Sequence, residues 1–459
     1  MTNLLGISII IYLIIMFGIA LWSKDKIENE EDYIVAGRSM PMMLTSATLL
    51  ATWFGAGTLL TATDEIFRNG LRVTALEPYG AGLCLLIAGL FFAKPLWEMK
   101  VCTVSDIYRN KFGTRAEKWS VLLTVPGYVG WIAVQLAALA GIIEIFFDFS
   151  PLLTIPVVAL IAMAYTLLGG MWSVSITDAA QITLVIIGLV LVGYNVFSSI
   201  GEGIFWTGLT KALSEAQPRD LVLIPRESAM EFMKWSGVLV VSAVGNLTGQ
   251  DLGQRIFSAK SSAVAQRACY LAGFAYIALG TIPALLGVVA KNILPPETTH
   301  SILPTLAKLY LSPAATVMFA LALISVVLST IDSAILAPAA VLGRNALRPY
   351  VSAKISSIVL CQYCVILITA ASTALALAGE KTYDLLEESY AIGLVGLFVP
   401  FSVSIFSKIL DETAALISMA VGTGIWLISF AVETDIPLNI VAVVMAFAAY
   451  FAAAKLRKI

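Results

Sequence analysis

Thirteen apolar runs, most of them long enough to cross a bilayer, divide this chain, near residues 4–22, 42–62, 74–98, 119–146, 151–169, 172–200, 235–257, 264–290, 309–342, 354–379, 384–407, 412–431 and 437–454. A helix of about 20 residues, rising ~1.5 Å per residue, spans a hydrocarbon core of ~30 Å. Backbone in lipid must satisfy its own hydrogen bonds, so such runs fold as helices and the expected fold is an all-α polytopic membrane protein. Composition agrees: 59% of the 459 residues are hydrophobic and 13% charged, against roughly 25% charged in soluble domains. A net charge of −2 gives no basis for nucleic-acid binding. Met1 to Ser23 carry no charged side chain and no small-residue cleavage site precedes Lys24, so the first run reads as a span and not a signal peptide. Cys361 and Cys364 form a C-x-x-C without nearby His or Cys partners, a pattern that reads as helix packing.

An odd number of spans puts the termini on opposite sides. With Met1 outside, the inner loops hold 19 of the 28 Lys and Arg, from Lys24, Lys26 and Arg38 to Lys455, Arg457 and Lys458. The expected arrangement is therefore N-terminus outside and C-terminus cytoplasmic, in a cell (plasma or inner) membrane. The longest outer loop, about 201–234, reads as a short surface helix plus a turn around Pro218 and Pro225.

Two runs are interrupted. One carries Ala51-Thr52-Trp53-Phe54-Gly55-Ala56-Gly57-Thr58; the other carries Gly245-Asn246-Leu247-Thr248-Gly249-Gln250-Asp251-Leu252-Gly253. Irregular backbone survives at membrane depth only where it lines a cavity. Two breaks at matching places of two halves predict an inverted-repeat transporter with its site between them. The expected units are a peripheral helix and loop (1–41), a first repeat of five helices (42–200), the outer loop (201–234), a second repeat (235–407) and C-terminal helices (408–459).

Four segments in order carry a family likeness: Asp32-Tyr33-Ile34-Val35-Ala36-Gly37-Arg38; Tyr165-Thr166-Leu167-Leu168-Gly169-Gly170-Met171-Trp172-Ser173-Val174 with Thr177-Asp178 and Gln181; Gln254-Arg255 with Ser258-Ala259-Lys260; and Ser329-Thr330-Ile331-Asp332-Ser333. Together the chain resembles the sodium/solute symporters. The resemblance implies a peripheral N-terminal helix, about ten core helices in two inverted repeats of five with two broken helices, and Na⁺ as the coupling ion. It also implies a first Na⁺ site made of the carbonyls of Ala51, Phe54 and Val326 and the hydroxyls of Ser329 and Thr330. Residues 326, 329 and 330 share one helical face, as that site needs. The ordinary alternative is that the hydroxyls bond back to their own helix. A second ion, implied for some relatives, falls among Asp178, Ser329, Asp332 and Ser333. Intramembrane carboxylates are costly unless paired or ion-bound.

The solute is expected beside the breaks. Its candidate contacts are Trp53, Phe54, Glu77, Tyr79, Trp131, Gln135, Asn246, Thr248 and Gln250, with Glu387, Glu388 and Tyr390 as an outer gate. The contexts of Trp53 and Trp131, and Gly89-Leu90-Phe91-Phe92-Ala93-Lys94, are most similar to the choline-transporter subgroup, where aromatic rings cage a quaternary ammonium. Two further cage positions fall here on Ala81 and Gly249, which have no ring, while Glu77 supplies a carboxylate. The expected solute is an amine, a quaternary ammonium or an amino acid. Proton coupling through Asp178 and Asp332 and a transporter-like sensor are the alternatives. The chain closes at Ile459 with no output domain after the last run, which favours transport over sensing, and no nucleophile–base constellation suggests an enzyme.

Overall fold

The computed structural model describes residues 2–456 apart from 299, 353, 380, 381, 433 and 435, so Arg457 and Lys458 of the charge bias lie outside the described residues. Its regular structure is helical, with one isolated bridge between Met40 and Ala259 among the described residues. Ten helices among them are long and apolar enough to cross a membrane, or eleven with the bent pair Met42–Trp53 and Gly57–Asn69 counted as one. That count departs from the thirteen expected runs at two places, the fifth and the seventh.

The fifth and sixth runs are two helices that meet without a loop inside Pro151–Ile200, at a break where Gly170 takes φ 49° and ψ −154°. The limb before the kink, 151–169, is 19 residues, about 28 Å at ~1.5 Å per residue, and is long enough for a span. Glycine is needed at the kink on two counts. Its φ is left-handed, and a Cβ there would sit 2.7 Å from both Cδ2 and the carbonyl oxygen of Tyr33. The Gly-Gly of the motif thus lets the Glu30–Val35 helix lie against the bend.

The seventh run is too fragmented to count. It starts at Ala229 and not at 235, because the Ser228 hydroxyl caps the helix by accepting from the Glu231 N–H at 3.1 Å. It proceeds through a π turn, Val241–Gly245, and a 3₁₀ turn, Asn246–Thr248. Gly249 is then extended, with ψ 132°, before Gln250–Ser258 resumes the helix. The first break is similar. Met42–Trp53 ends where Phe54 turns to ψ 57°, and the chain resumes at 53° to its former axis. Both breaks therefore fall at the expected glycines. The outer loop carries a helix, Phe205–Glu215, and a 3₁₀ turn, Pro218–Leu221.

Burial separates core from periphery. In Pro313–Tyr350, 78% of the most apolar window is buried, against 22% in the N-terminal helix. That outer helix shows Ile7, Ile11 and Ile14 outward, Ile14 at 65% exposure, a surface that only lipid makes favourable. The central Pro313–Val341 helix packs against Pro151–Ile200, Thr114–Phe147 and Met42–Trp53, so the first break and the Ser329-Thr330 motif are neighbours. At the basic end of the bundle Arg344 pairs with Glu30 at 2.8 Å and Asp106 at 3.1 Å, and Asn345 donates to Asp106 and Glu117, both at 2.8 Å.

Candidate functional site

Between the breaks lies a cavity of about 590 Å³, mouth included, whose walls contain Trp53 from the first break, Gly245, Asn246, Thr248 and Gly249 from the second, and Tyr128 and Trp131 from Thr114–Phe147. Thr124, Ser389, Tyr390, Glu77 and Asp251 complete its polar lining. The Tyr128 and Trp131 rings stand 5.9 Å apart, tilted by 57°. Both expected tryptophans thus face the cavity and not lipid.

Glu77, 1% exposed, is neither at a wet helix end nor unpaired. Its Oε2 accepts from Thr58 at 2.9 Å and Tyr276 at 2.7 Å, and its Oε1 from Tyr390 at 3.1 Å. Tyr276 also lies 2.8 Å from the Trp53 carbonyl. A single phenol thereby links the backbone of the break to the cavity carboxylate. Asp251, 4% exposed, accepts from the Trp53 indole N–H on Oδ2 and from the Tyr128 hydroxyl on Oδ1. Neither Asp251 nor Tyr128 was singled out from sequence.

Four expected contacts are corrected. Phe54 is fully buried with its ring edge-on to Tyr276 at 5.1 Å, outside the cavity lining, because the backbone turns there. Gln135 Oε1 instead accepts from the Ala56 N–H at 2.9 Å, holding a donor that the broken helix leaves open. Gln250 faces the basic end, where it accepts from the Val104 N–H at 2.7 Å and donates to the Cys102 carbonyl at 3.3 Å. Tyr79 meets Thr281, at 3.3 Å. Of the expected outer gate, Glu388 is held by the Trp426 indole at 2.6 Å, and Tyr390 belongs to the cavity. Asn246 and Thr248 do line the cavity, each also bonded to nearby backbone, Thr248 to the Gly245 carbonyl at 3.0 Å.

Beside the first break, the Thr330 hydroxyl lies 3.4 Å from the Ala51 carbonyl and 3.2 Å from that of Val326. Na⁺ is close in size to Ca²⁺, whose oxygens sit at about 2.3–2.6 Å, so neighbouring oxygens at right angles around it lie roughly 3.3–3.7 Å apart. The Ala51 contact falls within that range and the Val326 contact just below it, and both are equally hydrogen bonds of the hydroxyl, the latter being the i−4 back-bond of the ordinary alternative. Ser329 faces another way, donating to Asp178 Oδ1. Asp178 also accepts from Thr48 at 2.5 Å and pairs with Arg255 at 3.7 Å, every member fully buried. Arg255 continues to Ser333 at 2.6 Å, and the Ser333 N–H donates to Asp332 at 2.8 Å. The group expected to hold a second ion is thus gathered, but a guanidinium is at its centre. A cation at Asp178 has to displace Arg255.

A helical bundle with two helices broken around one cavity is an inverted-repeat transporter fold. Its nearest features recur in solved structures. The substrate-bound, outward-open state of a Na⁺-coupled sialic acid symporter superposes with a TM-score of 0.81 at 17% identity, over 99% of this chain and 98% of that one. MhsT in complex with L-phenylalanine gives 0.57 at 14% identity, over 90% and 98%. The profile of the sodium:solute symporter family matches residues 33–422, and the chain belongs to that family. It is 28% identical to high-affinity choline transporter 1 of Drosophila melanogaster over 84% of this chain and 64% of that protein. It is 27% identical to the high affinity choline transporter 1 of Homo sapiens, over 83% and 68%. It is 25% identical to the sodium/glucose cotransporter of Vibrio parahaemolyticus, over 62% and 54%. The chain thus spans about two thirds of the length of the choline transporters it matches.

Proposed function

We propose that this chain is a sodium-coupled symporter that carries a small organic cation or zwitterion across a cell membrane by alternating access. The observation that carries the proposal is the division of labour at the first break. Trp53 presents its ring to the cavity, while two residues earlier the Ala51 carbonyl meets Thr330 at a spacing that suits Na⁺. The first ion is assigned to the carbonyls of Ala51, Phe54 and Val326 and the hydroxyls of Ser329 and Thr330. In this assignment Ser329 turns from Asp178 toward the ion. A second ion at Asp178, Ser329, Asp332 and Ser333 is assigned only to a state in which Arg255 has left Asp178.

The ion would tie the first broken helix to the Pro313–Val341 helix and so fix the backbone that orients Trp53. Ion and solute then favour the same arrangement. By linkage each raises the other's affinity by one factor, about 5- to 150-fold for a coupling of ~1–3 kcal/mol. The Lys and Arg bias supports an N-terminus outside and a C-terminus inside. The test is uptake of a labelled amine into proteoliposomes at fixed pH, with an inward Na⁺ gradient or an inward proton gradient. Uptake that follows Na⁺ supports the proposal. Uptake that follows protons alone, or neither gradient, overturns it.

A further inference from the structure

The two carboxylates of the cavity decide which kind of cation it prefers, an inference that rests on the solute being a cation bound in that cavity. An ionised carboxylate offers about four acceptor positions. Asp251 fills one on each oxygen, with the Trp53 indole and the Tyr128 hydroxyl. Glu77 takes two, from Thr58 and Tyr390, and shares the single Tyr276 hydrogen with the Trp53 carbonyl. Acceptor capacity therefore remains on both, more of it on Asp251. None of the described residues lining the cavity is Lys, Arg or His, so no wall cation uses that capacity. Arg255 pairs with Asp178 and reaches Asp251 at its backbone carbonyl, at 3.3 Å.

A buried acceptor left unmet costs free energy, more so when it is charged. A quaternary ammonium has no N–H. It can lie against the Trp53 and Trp131 rings but leaves the Asp251 oxygens without new donors and holds them off by the thickness of its methyl groups. A protonated primary amine brings three N–H donors and a compact charge. The aromatic wall is also thinner than a full cage requires, since Ala81 and Gly249 add no ring. A solute carboxylate, in turn, would face two carboxylates and no wall cation. We infer that the cavity selects a protonated primary or secondary amine without a carboxylate over a quaternary ammonium, with Asp251 as the specificity-determining residue.

The experiment uses the full chain, purified in Na⁺, and measures binding of ethanolamine, its N-methyl and N,N-dimethyl derivatives, and choline. Affinity is expected to fall along the series, with choline weaker than ethanolamine by about 10-fold or more, the size of one lost charge-assisted hydrogen bond. Asp251→Asn should flatten the series by weakening ethanolamine about 10- to 100-fold while choline changes little. Na⁺-dependent thermal stabilisation of the variant reports that it is folded, and the wild-type series stands as a test by itself if it is not. Choline binding as tightly as ethanolamine or more tightly overturns the inference and leaves sodium-coupled transport of a cation intact. Binding of none of the four amines overturns both.

Discussion

Gly55 is where a single methyl group interrogates the ion site. Gly55 does not have a left-handed φ, so alanine is acceptable to the backbone and its effect is purely steric. An added Cβ would stand 2.5 Å from Thr330 Oγ1, 2.9 Å from Gln135 Oε1 and 3.0 Å from Thr330 Cγ2. To regain an ordinary contact of 3.4 Å the Thr330 hydroxyl has to retreat by roughly 0.9 Å, which takes it off the Ala51 carbonyl. Overpacking of this kind costs about 1–3 kcal/mol, charged to the arrangement in which the break and Thr330 are closest. Gly55→Ala should therefore raise the Na⁺ concentration for half-maximal uptake about 5- to 150-fold. Initial-rate uptake and Na⁺-dependent melting in parallel measure it. Thr330→Ala removes two of the three clashing atoms, so Gly55→Ala added to Thr330→Ala should cost much less than it does alone, a non-additivity that only contact produces. Gly18→Ala, with nothing within 4 Å, is the silent control. An unchanged Na⁺ dependence in Gly55→Ala, or full additivity with Thr330→Ala, would refute the placement of the ion.

Replacing Ser329 and Thr330 together with Ala should abolish Na⁺-stimulated uptake with little change in melting in the absence of Na⁺, and a retained sodium response would end the first-site assignment. Asp178→Asn strands the buried Arg255 charge and should lower stability by about 3–5 kcal/mol, while Asp178→Leu combined with Arg255→Met should recover most of it; thermal denaturation of the three variants decides, and a harmless single substitution would mean the pair is not formed. Arg344→Ala removes the bridge between Glu30 and Asp106 and should expose the half-buried Cys102, whose N–H bonds Asp106 at 3.2 Å. Maleimide labelling of Cys102 should then become faster at any fixed pH; equal labelling rates would show that Arg344 does not close that end.

The sequence made the helices, both breaks and the cavity tryptophans legible, because each leaves a local mark: an apolar run, a glycine cluster, an aromatic beside it. What it hid are the contacts between distant segments. Asp251 meets Tyr128 across 123 positions, and no local pattern announces that pairing. Gln250 was the expected contact and Asp251 the observed one because successive helical residues point about 100° apart, so the orientation of Gln250–Ser258 after the extended Gly249 decides between them. Arg255 was visible in the family-like segment, but its role as the partner of Asp178 depends on the packing of three helices. The late start read for the seventh run has a plainer cause. Its first turns carry Glu231 and Lys234 and fail a test of apolarity, although a serine cap makes them helical.

Residues 51 to 54 hold one more consequence. In the proposed assignment the carbonyls given to the ion and the ring given to the solute are parts of one short, covalently continuous segment, and Tyr276 lies 2.8 Å from the Trp53 carbonyl within it. A carrier built this way would keep a tight ratio of ion to cargo, because both ligands would draw on the same segment. Its weakness is slippage. A change that loosens that contact, such as Tyr276→Phe, leaves both sets of ligands in place yet lets the loaded ion cross without cargo, so the sodium gradient runs down through a leak while accumulation of the solute falls.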